Sequence, residues 1–184
     1  CELPGDWLAD SLKFIDVTQN ALERVPDGLA NLERLERLIL RENRIATLPD
    51  LRRLIALQEL DVSQNRLREI PEGITTIAGL RTLNALMNRL EALPLDWSGL
   101  TLLHSLELSD NRLRTVPDSI GRLTGLTSLG LARNRLRRLP DLSALDKLNA
   151  LNLEDNQLDE TPALPMKIEH LRIGGNQRPR HRVR

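Results

Sequence analysis

The side chains best suited to proton transfer, nucleophilic attack or metal binding are three histidines and one cysteine: His104, His170, His181 and Cys1. A structural or catalytic zinc site needs three or four such ligands around one ion. On the repeat spacing derived below, His104 and His170 fall three strands apart, roughly 14 Å, too far to share a metal or a nucleophile. His181 stands in a basic tail, and Cys1 has no base partner that the sequence identifies. Gly174-Gly175 is not followed by a phosphate-loop pattern. Paired acids such as Glu154-Asp155 read as solvated strand-edge residues. The sequence therefore predicts no catalytic residue, no metal and no cofactor, and a chain that is not itself an enzyme.

One chemistry-bearing pattern does recur, and it is basic. Arg44, Arg66, Arg89, Arg112 and Arg135 follow one another at intervals of 22 or 23 residues. Guanidinium groups grip carboxylates and phosphates bidentately, so such a column is a candidate anion-facing rim. Glu42 and Asp110, two residues ahead of Arg44 and Arg112, are expected to screen it. Lys+Arg and Asp+Glu both number 26, giving a formal net charge of zero. Neutrality argues against general binding to nucleic acid or anionic membranes. With 2% aromatic residues and no Tyr, base-stacking platforms are not expected either.

What must position these arginines is the frame in front of them. Each follows an asparagine of a regular series: Asn20, Asn43, Asn65, Asn88, Asn111, Asn134, Asn156 and Asn176, spaced by 23, 22, 23, 23, 23, 22 and 20 residues. Ahead of each Asn stand apolar residues in a fixed pattern, as in Leu35, Leu38, Leu40, Asn43, Ile45, Leu48, Pro49 and again in Leu103, Leu106, Leu108, Asn111, Leu113, Val116, Pro117. A period of this length signals stacked supersecondary units. The alternation Leu38, Leu40 makes a short strand with one buried face, which only neighbouring units can cover. The Asn amide both donates and accepts, so it can satisfy backbone groups buried where the chain leaves the strand. Proline followed by an acid, as in Pro71-Glu72 and Pro117-Asp118, predicts a short 3₁₀ or α turn on the far side.

This pattern, Leu-x-x-Leu-x-Leu-x-x-Asn-x-Leu-x-x-Leu-Pro over roughly residues 12–176, resembles the leucine-rich repeat family in its short intracellular and bacterial form. The resemblance implies an α/β solenoid: a curved array whose concave side is a parallel sheet of about eight strands, with short 3₁₀ or helical turns on the convex side. The shortened last period resembles the repeats of secreted bacterial effector proteins, including those with a ubiquitin-ligase domain beside the array. Residues 1–11 read as a partial leading repeat, 12–177 as the repeat domain and 178–184 as a basic tail or linker. Trp7 and Trp97 share one position after the proline turn and read as core filling on the convex side. The start inside a repeat is expected of a piece of a longer protein. With one cysteine, no disulfide framework, no long apolar segment and no signal peptide, a reducing, cytoplasmic location is expected, in the producing cell or in a host.

Function then falls to the variable positions of the sheet, roughly 34 Å across, a width that suits the edge of a protein partner or a helix of about 20 residues. Unit four breaks the frame: Ala85 replaces the third strand leucine, and Leu86-Met87 follow. A period of two sends Leu86 outward. Units four to six hold a smoother centre, with Asn84, Leu86, Met87, Ser105, Ser109 and Ala132, and charged columns flank it. A weakly polar centre with a charged rim is the anatomy of a protein interface. The predicted partner-binding residues are Arg41, Arg66, Asn84, Leu86, Met87, Arg89, Ser105, Glu107, Ser109, Arg112 and Ala132. Two alternatives stay open, the substrate-recruiting region of a larger bacterial effector enzyme such as a ubiquitin ligase, and a polyanion binder that uses the arginine rim.

Overall fold

The structure, a computed structural model, describes residues 10–160 and 162–176. The readings placed on Cys1, Trp7, His181 and the basic tail lie outside these residues. Eight strands of three residues each run in chain order: β1 (Phe14–Asp16), β2 (Arg37–Ile39), β3 (Glu59–Asp61), β4 (Thr82–Asn84), β5 (Ser105–Glu107), β6 (Ser128–Gly130), β7 (Ala150–Asn152) and β8 (His170–Arg172). They form one parallel sheet in the order β1 to β8. The register aligns the central residues Ile15, Leu38, Leu60, Leu83, Leu106, Leu129, Leu151 and Leu171. From Leu38 to Leu151 these central leucines are buried in one continuous core, while the residues on either side of each face the open side. Such a solenoid has no single core that could form alone; each unit covers its neighbour's apolar face.

The asparagines hold the units together. Asn111 Oδ1 accepts the Leu90 N–H of the preceding unit at 2.9 Å, and its Nδ2 donates to Ala85 O, Leu108 O and Ser109 O at 3.0, 3.0 and 3.2 Å. The carbonyl after the third strand position is shared. Leu108 O accepts from both Asn111 and Asn134, and Leu131 O from both Asn134 and Asn156. Repetition of this sharing from Val17 O to Leu153 O makes the ladder one connected network. The residue just before each Asn is left-handed: Gln19, Glu42, Gln64, Met87, Asp110, Arg133 and Asp155 have φ between 50° and 57°, and Gly175 has φ 71°. That turn swings the Asn side chain back under the strand it follows.

The far side alternates. In units one, three and five, 3₁₀ turns at Asp27–Asn31, Glu72–Thr76 and Asp118–Arg122 start directly after Pro26, Pro71 and Pro117. Units two, four and six depart from the expectation of a 3₁₀ or α turn after every proline. There an aspartate side chain closes the turn by accepting a backbone N–H two residues on: Asp50 from Arg52 at 3.1 Å, Asp96 from Ser98 at 2.9 Å, Asp141 from Ser143 at 2.8 Å. This is the Asx turn, which substitutes a side-chain oxygen for a backbone carbonyl. The two forms interlock. A Cβ at Gly121, in the 3₁₀ turn of unit five, would come within 2.3 Å of Asp141 O in unit six.

These turns give the chain an acid sensitivity of known sign. Hydrogen bonds from Ser98 and Ser143, side chain first and backbone second, hold the Asp96 and Asp141 carboxyls below the ordinary 3.8. A carboxyl depressed in the folded state contributes stability above its unfolded value and loses it as pH falls through the depressed value. Thermal midpoints are therefore expected to drop on acidification below about pH 4. The Asp141→Asn variant keeps a side-chain acceptor but does not titrate there. It should show a shallower drop, measured by circular dichroism melts across that range.

Candidate functional site

The open face of the sheet is built from the first and third residues of each strand, because three residues in a parallel ladder leave two side chains outward and one inward. Of the residues expected to bind a partner, Asn84, Ser105 and Glu107 lie on this face half-buried, and Arg41, Arg66, Arg89 and Arg112 are exposed. Met87 is 50% exposed. Two do not fit the expectation. Ser109 is 4% and Ala132 0% exposed, so neither offers contact area to a partner. Leu86 is half-buried rather than fully outward. One cause explains all three. The strands end at Asn84, Glu107 and Gly130, and the chain is already turning toward its left-handed residue, so the period of two fails two positions later, at Leu86, Ser109 and Ala132.

A second polar ladder accounts for the hydrogen bonds at that turn. The third strand residue caps the N–H two positions on: Asp61 that of Ser63 at 2.8 Å, Asn84 that of Leu86 at 3.1 Å, Glu107 that of Ser109 at 2.8 Å, Asn152 that of Glu154 at 3.1 Å. Unit six has Gly130 at this position and no side chain to do it. Ser109 Oγ of the preceding unit accepts the Ala132 N–H instead, at 3.0 Å. In unit three the corresponding hydroxyl, Ser63 Oγ, is buried without a partner, because the N–H it would receive is already given to Asn84. The missing Cβ at Gly130 also leaves the space that the Glu107 carboxylate occupies; an added Cβ would lie 2.1 Å from Glu107 Oε1. Beside it the open face dips into a cavity of about 250 Å³ lined by Glu107, Ser128, Gly130, Asn152, His170 and Arg172. The sequence centred the face on units three to six, and this dip extends it toward unit eight.

The left-handed column that precedes the asparagines was not singled out from sequence, yet it orders the charges along the sheet's edge. Gln19 donates to Glu42 at 2.7 Å. Arg133 makes a two-point ion pair with Asp110 at 2.5 and 2.7 Å, and this contact raises the guanidinium's pKa further. Glu42 pairs with Arg41 at 2.9 Å. The acids expected to screen Arg44 and Arg112 are therefore engaged elsewhere; the acid within reach of Arg112 is Glu91, at 3.9 Å. Between these pairs stands Met87, an apolar side chain in a strained backbone position and half exposed.

His104 is half-buried, with ring Nδ1 3.3 Å from Leu102 O, and His170 is exposed on β8. Among the described residues no group of three or more His, Cys, Asp or Glu is placed to hold a metal ion. No described helix is long and apolar enough to cross a membrane.

Comparison with known proteins agrees with this geometry. The chain matches family models described as leucine-rich repeat at residues 56–77, 78–136 and 101–158, which together cover more than half of it. No curated protein sequence matches. Among solved structures, a leucine-rich repeat protein of Leptospira interrogans is 30% identical with a TM-score of 0.85, covering 91% of this chain and 44% of that one. YopM from Yersinia enterocolitica is 30% identical with a TM-score of 0.74, covering 92% and 34%. The Arabidopsis receptor kinase HAESA, solved in complex with the peptide hormone IDA and a co-receptor, is 29% identical with a TM-score of 0.74, covering 81% and 26%. The chain thus spans less than half the length of these neighbours. An eight-stranded parallel sheet, an asparagine ladder that joins every described unit, and the family match over units three to seven lead to one assignment: this chain belongs to the leucine-rich repeat family.

Proposed function

We propose that this chain is a protein-binding module that engages a polypeptide partner through the open face of its sheet, around units three to six. The observation that carries this reading is Met87, an apolar side chain half exposed in a column otherwise held by Gln19, Glu42, Gln64, Asp110, Arg133, Asp155 and Gly175, of which Gln19, Glu42, Asp110 and Arg133 are paired. Leu86, Asn84, Ser105 and Glu107 lie beside it, and Arg41, Arg66, Arg89 and Arg112 form the charged rim. Ser109 and Ala132 support this surface from beneath. Interfaces place apolar and arginine side chains at such centres and rims. The similar HAESA structure, a receptor kinase in complex with a peptide hormone and a co-receptor, supports a polypeptide ligand. The single cysteine of the sequence favours a reducing, cytoplasmic setting.

The test is a double variant, Leu86→Glu with Met87→Glu, in a chain whose melt shows that it still folds. Proteins captured by the immobilised parent chain are identified and their affinities measured. Loss of about tenfold or more in affinity is expected for an interface centre. Unchanged affinity would move the site elsewhere. A second reading, substrate recruitment by a larger bacterial effector enzyme, is favoured by the likeness to Leptospira and Yersinia repeat proteins. Sequencing outward from both ends decides it, since a catalytic domain must lie on one flank. Binding through the arginine rim to nucleic acid or another polyanion predicts a steep salt dependence of affinity.

A further inference from the structure

A groove of about 810 Å³ opens at the side of the solenoid, among the turns that follow Asn111, Asn134 and Asn156. Arg114, Arg135, Arg137 and Arg138 line it, together with Thr115, Gln157 and Asp159. All four arginines are exposed. Arg138 reaches Glu160 at 3.5 Å. Among the described residues, Arg114, Arg135 and Arg137 make no ion pair within 4 Å, although this chain carries as many acids as bases. Some arginines elsewhere find carboxylates, as Arg37 does with Glu59, Arg53 with Glu33 and Arg133 with Asp110; others, such as Arg66 and Arg89, do not among the described residues, and what distinguishes Arg114, Arg135 and Arg137 is that they line one groove. Three unpaired guanidinium groups around one groove repel one another, and an anion held between them relieves that repulsion.

The backbone beneath the groove is fixed. Arg135 N–H donates to Leu113 O at 2.8 Å and Gln157 N–H to Leu136 O at 2.9 Å. Asn134 and Asn156 hold Leu113 N–H and Leu136 N–H from below. The guanidinium groups therefore project from a preorganised floor, and binding has little backbone to order. We propose that this groove binds an acidic segment of a protein partner. The ligand class follows from the surroundings. Arg114 comes from one turn and Arg135 and Arg137 from the next, so the cations are spread along the groove, which suits several carboxylates carried on one chain. Among the described residues no aromatic side chain lines the groove for base stacking, the second element that single-stranded nucleic acid uses. This site rests on the reading of the chain as a protein-binding module and names the chemistry that the partner brings.

The probe is a fluorescent decapeptide of alternating glutamate and serine, titrated into the full chain by anisotropy at physiological salt. Binding is expected, with a glutamine-for-glutamate control peptide at least about tenfold weaker. The triple variant Arg114→Gln, Arg135→Gln, Arg137→Gln changes only exposed side chains, so it should melt as the parent does and also lose about tenfold. The Leu86→Glu, Met87→Glu variant should bind the acidic peptide as the parent does, which separates this groove from the open face. If that variant keeps its protein partner while the triple variant loses the peptide, the open-face reading fails and the groove stands. Equal binding of the neutral peptide, or unchanged binding by the triple variant, overturns the proposal. Displacement of the peptide by inorganic phosphate at micromolar concentration also overturns it, in favour of a phosphate site.

Discussion

Replacement of Asn111 by alanine is expected to lower the unfolding free energy by about 2–4 kcal/mol, and the same change at Asn20 by less than about 1 kcal/mol. The difference follows from how many groups each amide leaves without a partner. Removal of Asn111 orphans the buried Leu90 N–H, which has no other acceptor in the unit. Ala85 O and Leu108 O lose one donor each but keep Asn88 and Asn134. The penalty is therefore concentrated on one buried donor, at about 1–3 kcal/mol, with the lost amide bonds added to it. Asn20 is exposed and, among the described residues, donates within its own unit, to Val17 O and Thr18 O at 2.9 and 3.1 Å. Val17 O keeps its bond from Asn43. Urea unfolding followed by circular dichroism checks the pair. Equal losses at the two positions would show that the ladder acts locally rather than as a strap between units. A third variant, Asn111→Asp, keeps the acceptor for Leu90 N–H but turns a carboxylate toward three carbonyls. It should be worse than alanine at neutral pH and recover as acid protonates it, because its folded pKa is raised.

The ladder was legible in the sequence because its demand is chemical: a side chain that donates and accepts at a fixed point in an apolar frame. Strand positions, register and the buried leucine columns follow from that mark. Three things were not legible, each for a physical reason. The strands end after three residues, so Ser109 and Ala132, read as outward by alternation, turn under their neighbours. The left-handed position before each Asn is filled by Gln, Glu, Met, Asp and Arg, and only Gly175 announces it by residue type. The acids read as screening Arg44 and Arg112 pair elsewhere: Asp110 with Arg133 of the next unit, and Glu42 with its neighbour Arg41. A column read across units carries that information, while a motif read along one unit does not.

The same lesson applies to Trp97, where a larger loss is expected. In units three and five the corresponding residues are Ile74 and Ile120, each inside a 3₁₀ turn. Unit four has no such turn; its chain closes through Asp96 and Ser98, and the indole fills the space. Trp97 is fully buried. Its Nε1–H donates to Pro94 O at 2.8 Å, and its backbone N–H to Ser119 Oγ at 3.1 Å, which in turn donates to Leu95 O at 2.7 Å. Core filling was readable from the residue type; the carbonyl that the indole satisfies was not. Trp97→Ala is expected to cost about 3–5 kcal/mol, from lost burial and the cavity left behind. Trp97→Leu supplies an aliphatic residue of the kind the neighbouring units use, yet it still leaves a void and an unpaired Pro94 carbonyl. It should cost about 2–3 kcal/mol. Trp97→Phe keeps most of the volume and isolates the hydrogen bond, at about 1 kcal/mol. Denaturant midpoints of the three variants should fall in that order. If leucine is tolerated as well as phenylalanine, the fourth unit adapts to the smaller side chain and the interlock with Ser119 does not fix its shape. If leucine behaves as alanine does, the array depends on this one indole to join the turns of units four and five.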